Sequence, residues 1–280
     1  MYVTKDIYEI YNMLMEECGY PKLPKASYEK RLIEYEDVFP MLYLKYRLKG
    51  TKAHKHIKHL VIDEMQDYSY LQYVILQNLF SCRMTILGDR AQTLDEKPHD
   101  VLAFLPRIFG KGIRKIVMDK SYRNTVEIAD YAARISGIEG TELLNRHGKP
   151  VEEQTFSKAE EMLDAICENL NLGENEENSA NAARSSEGYE TAAVLTMTEG
   201  EAIAIYRLLK NRGIEASYVD RDSSLFKKGL TVTTFYLAKG LEFDQVFEIQ
   251  GDKENPLLGQ AAYICATRAL HELYVYCLEG

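Results

Sequence analysis

Apolar residues recur in two rhythms along this 280-residue chain, one with the period of a helix and one in short unbroken runs. From Thr4 onward, Ile7, Ile10, Tyr11, Leu14 and Met15 fall on one helical face, and "GYPKLP" at 19–24 stops the pattern. A second apolar-rich segment, 32–48, ends at Gly50. Runs at Leu60–Ile62, Met84–Leu87 and Ile116–Met118 predict strands. Between the first two, Ser69 and Gln72 stand in capping-box spacing ahead of a helix with Leu71, Val74, Ile75 and Leu79 on one side. Val126, Ile128, Ala129 and Ala132 mark a further helix. A second capping box, at Ser157 and Glu160, opens one through Leu163, Ile166 and Leu170. The stretch 171–188 holds a single large apolar residue and predicts a mobile loop. Strand "AAVLTM", helix 199–211, strands "EASYV", "LTVTTF" and "QVFEI", a helix near 259–269 and strand "ELYVYCL" follow.

Strands that alternate with helices in this way predict an α/β fold with parallel sheets covered on both faces. We place two lobes, 1–115 and 116–280. Composition supports buried cores, with 46% hydrophobic residues. A formal charge of −9, from 43 acidic against 34 basic residues, gives no overall basic footprint, so binding to a polyanion has to be argued locally. The five cysteines are scattered without a C-x-x-C pair, as expected of reduced thiols in a cytoplasmic protein. No apolar run approaches the roughly 18 residues of a membrane span, and the N-terminus reads as an amphipathic helix, so no membrane is expected.

The candidate chemistry begins in "HLVIDEMQDY", 59–68, where an apolar strand ends in two acids. A strand holds a first carboxylate rigidly enough to bind Mg²⁺, often through water, and the second can orient and deprotonate an attacking water. Asp63 and Glu64 are the candidates for these roles. "LGDRAQ" adds Asp89 and Gln92 at the end of the next strand, where a neutral amide can sense a terminal phosphate. "SYRNT" sets Tyr122 beside Arg123. "TFYLAKGLEFD" supplies a turn at Lys239 and Gly240 followed by Glu242, and "YICATRALHEL" carries Arg268 on an otherwise apolar helix. Taken singly, each has a plain alternative: a loop amide, a helix-start cation, a solvated turn, a structural ion pair. "HKHIKH", 54–59, fits no standard zinc spacing and reads as a basic loop.

In order and approximate spacing, "VIDEMQD", "GDRAQ", "SYRNT", "KGLEFD" and "CATRALHEL" resemble motifs II to VI of the superfamily 1 helicases of the UvrD/Rep type. The forms "DEMQDYS", "YLAKGLEFD" and "CATRALHEL" look like the HelD-like subgroup, which acts on RNA polymerase. The resemblance implies two RecA-like, P-loop NTPase-type lobes hydrolysing ATP with Mg²⁺ between them. It assigns Arg123 and Arg268 as arginine fingers, Gln92 as γ-phosphate sensor and Tyr122 as the adenine stack. Glu242 lies near the ribose, and Asp89, Lys239 and Gly240 join the nucleotide-binding set. The implied partners are single-stranded DNA, RNA polymerase, or both.

The pattern is incomplete. Walker A, G-x-x-x-x-G-K-[ST], provides the backbone N–H cradle and lysine that hold the phosphates. Before the Asp63 strand the chain has only Gly19 and Gly50, neither in such a loop. The expectation is therefore the C-terminal portion of a longer ATP-dependent motor, its first lobe lacking the Walker A strand, inactive until joined to the missing N-terminal part. The alternative is a non-hydrolysing module that docks on RNA polymerase or DNA. No aromatic follows Gln92 before Phe104, tryptophan is absent from the chain, and Tyr236 stands where the family usually has histidine. The short connection from "EASYV" to "LTVTTF" leaves no room for a large inserted domain. These departures argue against duplex unwinding.

Overall fold

The computed structural model describes residues 4–50, 53–93, 100–118, 120–137, 142–143, 145–170, 189–223, 228–251 and 254–278. The stretch 171–188, expected as a mobile loop, lies outside the described residues. The chain divides into two compact units, Met1–Arg90 with His99–Lys115, and Ala91–Pro98 with Ile116–Gly280. No helix among the described residues is long and apolar enough to cross a membrane.

The first unit opens with α1 (Ile7–Glu17) and α2 (Tyr35–Lys49). Asp6 caps α1 by accepting from the Tyr8 N–H, and Tyr8, Tyr11 and Met41 form a small core between the two helices. The predicted strand at 60–62 is β1 (His59–Ile62), paired in parallel with β2 (Arg83–Ile86). Between them runs α3 (Tyr70–Leu79). Its predicted capping box is present, the Ser69 hydroxyl accepting from the Gln72 N–H and the Gln72 amide oxygen from the Ser69 N–H. An additional helix, α4 (Val101–Phe109), was not legible beforehand, although Leu105 and Ile108 pack from it against Ile62 and Tyr73.

The expected strand at Ile116–Met118 does not form. All three residues are exposed and have no sheet partner among the described residues. An apolar run is strand-like only where a ladder accepts it. The nearby pairing is the two-residue β3 (Lys120–Ser121) with β4 (Glu142–Leu143).

The second unit is built on a six-stranded, all-parallel sheet. In chain order its strands are β5 (Glu152–Phe156), β6 (Thr191–Thr196), β7 (Ala216–Tyr218), β8 (Gly229–Thr234), β9 (Phe243–Gln250) and β10 (Ala269–Leu278). Their order across the sheet is β5-β10-β9-β6-β8-β7. One face packs on α5 (Val126–Ser136) and α8 (Leu258–Arg268), through Ile128, Ile264, Ala193, Leu195 and Val246. The other packs on α6 (Ala159–Asn169) and α7 (Glu199–Asn211), through Leu163, Ile166, Leu209, Val194 and Phe247. Alternate residues of each central strand thus feed opposite cores, which is why these strands read as unbroken apolar runs. The fold is α/β with parallel sheets, as expected.

Two details differ from expectation. The second capping box is absent: α6 begins after Lys158, which makes no side-chain cap hydrogen bond. A capping box does appear on α7, where Thr198 accepts from the Glu201 N–H and Glu201 accepts from the Thr198 N–H. Strand β5 was missed because "EEQTF" is a polar edge strand with its middle three residues exposed.

Candidate functional site

In the first unit the two acids stand at the C-terminal end of β1. Asp63 is exposed, and its carboxylate accepts the Glu64 N–H at 2.9 Å. Glu64 adopts the left-handed conformation, φ 52 and ψ 51. For a residue with a side chain this costs on the order of 1 to 2 kcal/mol, so its surroundings must enforce it. They do. The Ile62 carbonyl accepts from Leu87, the Leu87 carbonyl accepts from Met65, and the chain between is left with a sharp bend to make.

Gln66, only 4% exposed, holds the side chains that follow the bend. Its amide nitrogen donates to Glu64 Oε2 at 2.6 Å, and its amide oxygen accepts the Asp89 N–H at 3.1 Å. The acid pair and the end of β2 are therefore tied through one buried amide. Gly88 makes the close approach possible, because a Cβ there would lie 2.5 Å from Gln66 Oε1 and 2.6 Å from the Met65 nitrogen. Tyr73, fully buried, supports the same turn by donating from its hydroxyl to the Met65 carbonyl at 2.9 Å. Gln66 lies inside "DEMQD", between the acids that drew the assignment. A glutamine flanked by acids at a strand end was the available signal.

In the second unit, Arg268 ends α8 with its side chain only 3% exposed. Its guanidinium donates to the Leu241 carbonyl at 3.2 Å, to Gln92 Oε1 at 3.0 Å and to Thr267 Oγ1 at 3.2 Å. Lys239 Nζ donates to the Gln92 backbone carbonyl at 2.8 Å. The amide expected to sense a phosphate is thus held by Arg268, while Lys239 holds the backbone of the same residue. Gly240 has φ +85, so the expected Lys-Gly turn is real and depends on glycine.

Arg123 forms an ion pair with Glu242 at 2.8 Å, both side chains close to half exposed. A pair so wet is worth at most about 1 kcal/mol and leaves the guanidinium easy to recruit. Tyr122 is 63% exposed.

Two residues not foreseen connect these arginines. Asn124 donates to the Ala266 and Ala269 carbonyls at 3.2 and 2.6 Å, closing the C-terminal end of α8 on either side of Arg268. Arg146 donates to the carbonyls of Arg123, at 3.1 Å, and Leu270, at 2.8 Å. Within this unit the structure brings together Gln92, Lys239 and Arg268, pairs Arg123 with Glu242, and fixes the backbone of both arginines to one frame.

Residues 2–94, which include Asp63, Glu64, Asp89 and Gln92, match the family model of the UvrD/REP helicase N-terminal domain. Solved structures similar to the chain include the C-terminal domain of a possible DNA helicase from Lactobacillus plantarum WCFS1, at 27% identity and a TM-score of 0.42, covering 56% of this chain and 88% of that one. The PRRSV helicase is similar at 14% identity and a TM-score of 0.42, with 86% of this chain and 45% of that one covered. The chain thus spans less than half the length of that helicase. None of the curated proteins matches. Over its first third the chain is similar to the N-terminal domain of helicases of the UvrD/REP type.

Proposed function

We propose that the chain is part of an ATP-driven superfamily 1 motor acting on single-stranded DNA, or on a complex that contains nucleic acid. The observation that carries this reading is the acid pair. The segment matching the helicase domain is the one that ends a parallel strand in Asp63 and Glu64, with the bend there enforced by backbone hydrogen bonds to Leu87 and the Glu64 carboxylate held by the buried Gln66 amide. Asp63, exposed at a strand end, fits a Mg²⁺ ligand acting through water. Mg²⁺ there would neutralise charge on the phosphates. Glu64 is assigned to orient and deprotonate water, Gln92 to sense the terminal phosphate, and Arg123 and Arg268 to stabilise charge on it. Tyr122, Asp89, Lys239, Gly240 and Glu242 complete the nucleotide set. The forms of the motifs around Asp63, Lys239 and Arg268 favour the HelD-like subgroup, and with it RNA polymerase as a partner.

The donor set is incomplete, because no G-x-x-x-x-G-K-[ST] stands in these 280 residues before β1. We assign the phosphate cradle to polypeptide outside this sequence. The expected result is that ATP with Mg²⁺ binds the 280-residue chain more weakly than about 1 mM in a calorimetric titration, since loss of the cradle removes several charge-assisted hydrogen bonds. Micromolar binding would overturn the assignment. Supplying a Walker A segment, fused ahead of Met1, is expected to restore hydrolysis that Glu64→Gln abolishes.

A further inference from the structure

A cavity of about 500 Å³ opens in the second unit among Thr125, Arg146, His147, Lys149, Tyr189 and His271. Among the described residues its lining offers N–H and O–H donors and no carboxylate. The acids stand one layer behind. Glu127 accepts from His147 at 2.9 Å and from the Gly148 N–H at 2.8 Å, Glu272 pairs with Lys149 at 2.6 Å, and Asp244 lies 3.6 Å from His271. Burial would push the Glu127 carboxyl up, but the hydrogen bonds from His147 and Gly148 outweigh it and hold it at about 2. For Glu272 burial is likewise outweighed, by Lys149, Tyr274 and Gln245, and its carboxyl lies below the ordinary range. Both remain ionised and keep their donors in place.

The backbone around the cavity is shaped for this arrangement. A Cβ at Gly148 would lie 2.6 Å from Thr125 Cγ2 and 3.2 Å from the His271 carbonyl, so only glycine lets the 146–149 loop close against both. The pairing of β10 with β9 shifts register between Ala269 and Glu272, an irregularity that re-aims the intervening side chains, His271 among them. His271 stacks on Tyr189 with ring centroids 4.9 Å apart and planes at 23°. The Arg146 guanidinium donates to the same imidazole at 2.9 Å. A surface loop pinned at Arg146, His147, Gly148 and Lys149, around a space it does not fill, is more order than packing alone requires.

We propose that this cavity is a nucleotide-phosphate site, distinct from the nucleotide set of the proposed function. Lys149 would face the phosphate oxygens, and the base would lie against Tyr189. A phosphate prefers clustered charged donors, an aromatic face accepts any base, and the volume suits a group of nucleotide size. The phosphate could belong to a free nucleotide or to a strand, and the two sources separate in one experiment.

Binding of dTMP and of a twelve-residue oligo-dT is measured by calorimetry on the full chain and on Lys149→Gln, which keeps a donor for Glu272 but removes the charge. The expected result is binding of at least one ligand, weakened about tenfold in Lys149→Gln and unchanged in the exposed control Lys210→Gln. Binding of dTMP assigns the site to free nucleotides, and binding of the oligonucleotide alone assigns it to a strand. Absence of both, or affinities equal in Lys149→Gln and parent at matched thermal stability, overturns the proposal. The proposed function is read separately, by the ATP titration and by hydrolysis after fusion of a Walker A segment, so loss of this site with those results intact is distinguishable from failure of that reading.

Discussion

Replacing Tyr73 by alanine is expected to destabilise the first unit by about 3 to 5 kcal/mol, as truncation of a buried aromatic does when the site cannot collapse. Tyr73 is fully buried at the centre of a core whose other buried members are Ile62, Val101, Leu105 and Ile108. So few residues leave little to absorb the loss. The hydroxyl has a second role, since it satisfies the Met65 carbonyl inside the turn that carries Glu64. Tyr73→Phe, which keeps the ring and leaves that carbonyl only the longer 3.4 Å bond from the Tyr68 N–H, should cost about 1 kcal/mol. Hydrogen exchange of amides in β1, α3 and α4 reads both effects. Equal protection in Tyr73→Ala and parent would contradict this account of the core.

The second large effect concerns Glu248, on β9 facing α5 and α8. Glu248 is 2% exposed and its Oε1 accepts from Gln250 at 2.8 Å, while Oε2 is buried with no hydrogen-bond partner among the described residues. Burial, reinforced by the nearby Glu153 carboxylate, pushes its pKa up to about 7. A carboxyl with a folded-state value above its unfolded one contributes stability that is complete below about pH 4.5 and is lost as pH rises through 7. The shift corresponds to roughly 3 kcal/mol lost by pH 8. Glu248→Gln keeps the acceptor for Gln250 and cannot ionise. It should match the parent at pH 4.5 and exceed it by up to about 3 kcal/mol at pH 8, measured by denaturant unfolding. Equal stabilities at both pH values would show that Glu248 is solvated or paired in solution.

Much of the second unit was legible because its strands are buried on both faces and so announce themselves as apolar runs, as in "AAVLTM" and "QVFEI". Elements defined by what surrounds them were harder to read. Strand β5 is a polar edge, and α4 matters through the core it closes over Ile62. Ile116–Met118 shows the reverse error, an apolar run without a ladder. At the site, charged residues with chemical meaning could be picked from the sequence: Asp63, Glu64, Arg123, Arg268. The neutral amides that position them, Gln66 and Asn124, could not, because an amide's part depends on which carbonyls and N–H groups the fold brings near it.

The left-handed backbone at Glu64 sets folding against chemistry at a single position. Glycine or asparagine would settle into that geometry more readily than glutamate, recovering on the order of 1 kcal/mol, but would discard the carboxylate. A variant library sorted only for resistance to proteolysis should therefore enrich glycine and asparagine at codon 64, while under the proposed function one sorted for ATP hydrolysis in a chain supplied with a Walker A segment should retain glutamate. The gap between the two enrichments would measure what the reaction demands of that residue.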